Sequence, residues 1–214
     1  MRDETRIALK LFVEKTHELY ASGFVKFMQE HGGTSLNYSY HRDAGVQVEY
    51  ARPDRDATKA FVGTLRLFLH KSEHFSFRWL ANHVLDDDGL SETWKQEFVR
   101  ARESLNAFLD SKTTINERVV GQVKDDKGEL QHVDYEYRPT YRDILDIFDN
   151  GDLSHVEIPK KLIYERWKSN PLGGFQWMQW EFDNMLERVL RHINYVAHLS
   201  RQELTNQGIE PPAA

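Results

Sequence analysis

One run of residues constrains this chain more than any other. Met178, Phe182, Met185, Val189, His192, Val196 and Leu199 follow one another at spacings of 4, 3, 4, 3, 4 and 3 residues. Apolar positions in that alternation line one seam of a helix. The pattern predicts a helix over 175–204 whose seam needs another long helix against it. Residues 3–31 supply one: Ile7, Leu11, Phe12, Leu19, Tyr20, Phe24, Phe27 and Met28 recur at helical spacing, and Gly32-Gly33 ends the run as a C-cap glycine can.

Between these helices the pattern changes twice to strict alternation. Leu36, Tyr38 and Tyr40, then Val46, Val48 and Tyr50, interleave with polar residues around His41-Arg42-Asp43-Ala44-Gly45. Val119, Gly121 and Val123, then Val133, Tyr135 and Tyr137, do the same around Asp125-Asp126-Lys127-Gly128. Each set reads as a β-hairpin with one apolar face. Shorter helices fill the rest. Asp54 or Asp56 caps one reaching His70, with Ala57, Phe61, Leu65 and Phe68 or Leu69 inward. A second spans 76–85 and breaks at Asp86-Asp87-Asp88-Gly89. Ser91 caps a third, which runs to Leu109 and turns Trp94, Phe98, Ala101, Leu105 and Phe108 inward. Thr140 and Asp143 form a capping-box pair, and Pro159 opens a short helix to Lys168.

The fold class expected is mainly α (α+β). It is a helical bundle with long antiparallel N- and C-terminal helices, and two β-hairpins able to join into a small antiparallel sheet. Residues 1–206 read as a single globular domain and 207–214 as a frayed tail.

Composition removes whole classes of chemistry. With no cysteine there are no disulfides, thiolate metal sites or cysteine nucleophiles. Phosphate-cradling glycine loops and the G-x-S-x-G elbow are missing too. His70 and His74 stand at i and i+4 but lack the glutamate placement of the H-E-x-x-H motif, so no metal site is assigned and no cofactor is expected. The charged start Met1-Arg2-Asp3-Glu4-Thr5-Arg6 is unlike a signal peptide, and no stretch is apolar enough to span a bilayer. A cytoplasmic protein with no membrane partner is the expectation.

The outer side of the last helix carries the site candidates. At about 100° per residue, Trp180, Asn184, Glu187, Arg191 and His198 fall opposite the seam, with Trp177 and Tyr195 at the edge. Aromatic and arginine side chains are enriched at interfaces. Trp177, Trp180, Asn184 and Tyr195 therefore point to self-association or a protein partner, that is, to an interaction or regulatory domain. Nucleic acid is a further candidate partner through Lys160, Lys161, Arg166 and Trp167, a basic stretch with an aromatic able to stack on a base.

Arg191 and His198 also carry a second reading. Six residues separate them, a spacing that resembles the R-x4–6-H signature of metal-independent ribonucleases of the HEPN class. The resemblance covers eight residues. It implies that Arg191 holds a phosphate while His198 moves a proton as a 2′-hydroxyl attacks, the chemistry of a toxin or defence effector. Seven positions apart on a helix, the two side chains share a face. Arg78 and His83 also fit the spacing but diverge by about 140°. The hairpins depart from the plain helical bundle of that class.

Overall fold

The protein is described by a computed structural model covering residues 1–21, 63–69, 76–125, 127–148 and 174–213. Its elements in chain order are α1 (Asp3–Ala21), α2 (Phe77–Val84), α3 (Glu92–Leu109), β1 (Glu117–Lys124), β2 (Leu130–Tyr137), α4 (Tyr141–Phe148) and α5 (Gly174–Asn206), with a further helical run at 63–69. The protein is mostly helical with one two-stranded antiparallel sheet among the described residues, and long helices stand near both ends of the chain. The expected hairpin at 36–50, the extension of α1 to His31, the helix from Pro159 and the basic stretch at 160–168 lie outside the described residues.

The described residues fall into two compact units. One holds those up to Phe108 and those from Leu186 onward; the other holds Leu109–Met185.

The core of the first unit is aromatic. Phe12 meets Phe68 and Phe77 edge-on at 5.5 and 5.6 Å between ring centroids, and Phe98 stacks on Phe77 at 6.2 Å and on Trp94 at 5.0 Å. Such edge and offset contacts add to the area these rings bury. Around them α1 buries Thr5, Ala8, Leu9, Phe12, Val13, Thr16 and Leu19. This face differs from the expected one: Ile7 is 58% exposed, while two threonines are buried. Thr16 satisfies its hydroxyl on the Phe12 carbonyl at 2.8 Å and Thr5 on that of His83 at 3.0 Å, so each packs its methyl group without a lone donor.

α5 corrects the seam in a similar way. Met185, Val189 and Val196 are fully buried as expected, but His192 is half-buried and Ile193 takes the core position. His192 places Nδ1 2.7 Å from the Arg188 carbonyl and Nε2 3.3 Å from the Ser104 hydroxyl. Further along, Ser200 is buried and Leu199 half-buried. The inward set is Leu186, Val189, Ile193, Val196 and Ser200, a heptad seam in which 186, 193 and 200 stand one residue beyond the expected 185, 192 and 199.

Side-chain caps fix the helix ends. Ser76 accepts the Trp79 amide at 3.0 Å and opens α2. Ser91 accepts the Trp94 amide at 3.3 Å while donating its own hydroxyl to Glu203 of α5 at 2.7 Å, so one serine starts α3 and ties it to α5. α5 closes at Gly208, with φ 71°, through bonds of 2.9 Å from Gly208 N to Thr205 O and from Ile209 N to Leu204 O. This is the Schellman arrangement, and it needs a left-handed residue at Gly208.

The turn after α2 is organised by Asp87, whose side chain is 3% exposed. Its oxygens accept the Arg2 amide at 2.7 Å and the Gly89 amide at 2.8 Å. Burial pushes its carboxyl upward, but these two amides and the positive charge of the N-terminus, with the Thr5 side chain close by, outweigh it and hold the group at about 2. A carboxylate whose folded pKa lies below its unfolded value stabilises the fold fully above about pH 4 and loses that contribution as pH falls toward 2. Urea denaturation between pH 6 and pH 2 should show this loss, and Asp87→Asn should flatten the slope below pH 4. An identical acid profile in the variant would refute the assignment.

In the second unit β1 and β2 pair from Glu117 opposite Tyr137 to Lys124 opposite Leu130. Arg118 reaches across to Asp134 with two bonds of 2.9 Å. Tyr137 is buried and Val133 and Tyr135 half-buried, the alternation the sequence predicts. The expected capping box is present: Thr140 N donates to Asp143 at 2.8 Å, and Asp143 N to the Thr140 hydroxyl at 3.1 Å.

Candidate functional site

α1 and residues 186–206 of α5 run antiparallel within the first unit. Tyr20 donates its hydroxyl to the Leu190 carbonyl at 3.1 Å. At the other end, Gln207 donates to the Gly89 carbonyl at 3.1 Å, and a Cβ on Gly89 would lie 2.1 Å from the backbone nitrogen of Met1. The start of α1 and the end of α5 therefore meet at one glycine, where no side chain fits.

A cleft of about 550 Å³ opens along this pair. One wall is α1, through Val13, Thr16, His17 and Tyr20; the other is α5, through Arg191, Asn194, Tyr195, His198 and Arg201. Both sets recur at helical spacing, so each wall is a single helix face. Arg191 and His198, paired in the sequence by spacing alone, thus line one cleft. His17 and Arg201 share it and were not singled out by the sequence, because nothing in the periodicity of α1 says what faces its polar edge.

The chemistry of the lining is cationic and protic. Arg191 places Nη2 2.6 Å from Glu187, but the pair is 72% and 69% exposed, so an incoming anion can compete for it. Arg201 donates to the Ala213 carbonyl at 3.2 Å. The two tyrosines are occupied. Tyr20 spends its proton on Leu190, and burial raises its pKa. Tyr195 donates to Glu97 at 2.8 Å, and that carboxylate raises its pKa. His17 and His198 have no hydrogen-bond partner among the described residues, whereas His83 and His192 are each bound to a carbonyl four residues back.

Arg78, His83 and Asn184 do not line this cleft. Arg78 is exposed, and His83 is held by Trp79, its Nδ1 2.8 Å from that carbonyl and its ring 4.4 Å from the indole. That pair shares no site. Asn184 belongs to the second unit, where it donates to the Tyr141 hydroxyl at 3.0 Å. The side chains of Trp177 and Trp180 lie outside the described ones, as do Lys160, Lys161, Arg166 and Trp167.

Asn184 leads to a cluster the sequence does not reveal. Glu181 is fully buried and carries no ion pair among the described residues. It accepts the Thr114 amide at 2.8 Å, the Thr114 hydroxyl, and the Tyr141 hydroxyl at 2.7 Å. This holds the segment before β1 and the start of α4 on the first half of α5. These three donors satisfy both of its buried oxygens.

Among the described residues no group of three His, Asp or Glu side chains could hold a metal, and no helix is long and apolar enough to cross a membrane. Comparison with protein-family models, with curated proteins and with solved structures finds no match. The functional reading rests on the cleft itself.

Proposed function

We propose that the cleft between α1 and α5 binds the phosphodiester backbone of RNA and cleaves it without a metal ion. The observation that carries this reading is the convergence of Arg191 and His198 on one cleft, with Arg201 beside them. A guanidinium matches phosphate oxygens with parallel N–H donors. An imidazole without a protein partner is free to take the proton of a 2′-hydroxyl. The purified chain, incubated with tRNA or total RNA in EDTA, should produce fragments ending in 2′,3′-cyclic phosphate. The same oligonucleotide made of DNA should stay intact, since it lacks the attacking hydroxyl. RNA left whole, or cleavage that depends on a divalent ion, overturns the reading.

Self-association remains a second reading, favoured by Tyr195, which is 41% exposed on the same helix. Light scattering after size exclusion should give twice the chain mass of 25.2 kDa, and Trp180→Ala should return the monomer. A monomer at high concentration removes this reading and leaves the first intact.

A further inference from the structure

His17 stands on the opposite wall of the cleft from His198. The register of the two helices follows from the Tyr20–Leu190 bond and the common approach of Met1 and Gln207 to Gly89. With a rise of about 1.5 Å per residue, His17 lies level with roughly residue 193, about 3 Å along the axis from Arg191 and about 7 Å from His198. His17 is thus level with the stretch of α5 between the phosphate-holding arginine and the proposed base, facing it across the cleft. It is exposed, and it makes no hydrogen bond among the described residues.

Phosphodiester displacement is in-line: the entering and leaving oxygens lie on opposite sides of phosphorus. One group must take a proton from the first while another gives a proton to the second, so base and acid have to approach from opposite directions. A cleft with a free imidazole on each wall meets that requirement. The other protic groups on its walls serve less well. The tyrosine hydroxyls are bound to Leu190 and Glu97, a guanidinium keeps its proton, and Asn and Thr do not titrate.

We infer that His17 is the general acid of this site, paired across the cleft with His198 as general base. This rests on the ribonuclease reading. The 2′-oxygen bonds to phosphorus as the bond from phosphorus to O5′ breaks. His198 takes the 2′-hydroxyl proton, and His17, in its protonated form, gives a proton to the departing 5′-oxygen. The products are a 2′,3′-cyclic phosphate and a free 5′-hydroxyl, and exchange with water resets both rings.

The test compares two substrates in His17→Ala, His198→Ala and the unmodified chain. One is an ordinary RNA dinucleotide. The other is uridine 3′-(p-nitrophenyl phosphate), whose leaving group departs without protonation. On the dinucleotide both variants should fall by about 10²–10⁴-fold. On the activated ester His17→Ala should return to within about threefold of the unmodified chain, while His198→Ala stays low. Equal losses of His17→Ala on both substrates, no loss on either, or rescue of His198→Ala instead, overturns the assignment of His17 and leaves the ribonuclease reading standing. No cleavage of either substrate by the unmodified chain overturns both. Unchanged melting of His17→Ala, expected for an exposed side chain, excludes unfolding as the cause.

Discussion

His198→Ala is expected to slow RNA cleavage by about 10²–10⁴-fold while leaving RNA binding within a few-fold of the unmodified chain. The first figure is what a positioned general base contributes. The second follows because the ring meets the substrate hydroxyl, whereas the charge that attracts the backbone belongs to Arg191 and Arg201 on the same wall. Arg191→Ala should behave differently. It removes a donor from the phosphate in both the ground and the transition state, so binding weakens as well as turnover, and the loss of turnover should reach about 10²-fold or more. Arg191→Lys should recover the charge without the fork and restore only part of the rate. Single-turnover kinetics with a labelled oligonucleotide, alongside anisotropy titrations, separate the two effects. If both variants lose binding and turnover together, the division of roles is wrong. If neither changes turnover, Arg191 and His198 are not the site.

Glu181→Ala is expected to destabilise the second unit by about 2–4 kcal/mol, the range for removing the charged centre of a buried hydrogen-bond network. The Thr114 amide and hydroxyl and the Tyr141 hydroxyl all converge on this carboxylate. Without it, the Tyr141 hydroxyl loses the bond it donates to the carboxylate and keeps the one it receives from Asn184. Tyr141→Phe should cost less, about 1–2 kcal/mol, because the two Thr114 donors remain on the carboxylate. Residues that share one network do not add. The double variant should therefore cost less than the two single losses together, and urea denaturation of all four proteins closes that cycle. Strict additivity, or a Glu181→Ala variant within about 0.5 kcal/mol of the unmodified chain, would show that the cluster does not hold this unit.

Helix and strand identity was largely legible in the sequence, because periodicity and capping are local. Ser91, Thr140 and the alternation through Tyr137 could be read within a window of a few residues, and each acts as read. Facing was less legible. Ile7 and His192 were placed inward by spacing alone, but the face a helix buries is chosen by the elements packed against it. Thr5, Thr16 and Ile193 occupy those inward positions. Arg191 and His198 were found because two residues on one helix have a fixed relation that spacing encodes. Glu181 was missed because its partners lie 67 and 40 residues away; in the sequence it is one more acid on a long helix. His17 was missed for the same reason, since its place opposite Arg191 and His198 exists only once two distant helices meet.

The two walls of the cleft are joined by a contact between residues 170 positions apart, Tyr20 and Leu190. A nascent chain grows at about 5–20 residues per second. After α1 emerges, synthesis therefore continues for roughly 10–35 seconds before α5 can lie against it. During that interval the arginine–histidine wall has not been made, and the proposed site does not exist. The cleft forms late, in the step that brings two distant segments together, and a polypeptide truncated anywhere before α5 carries only one of its walls.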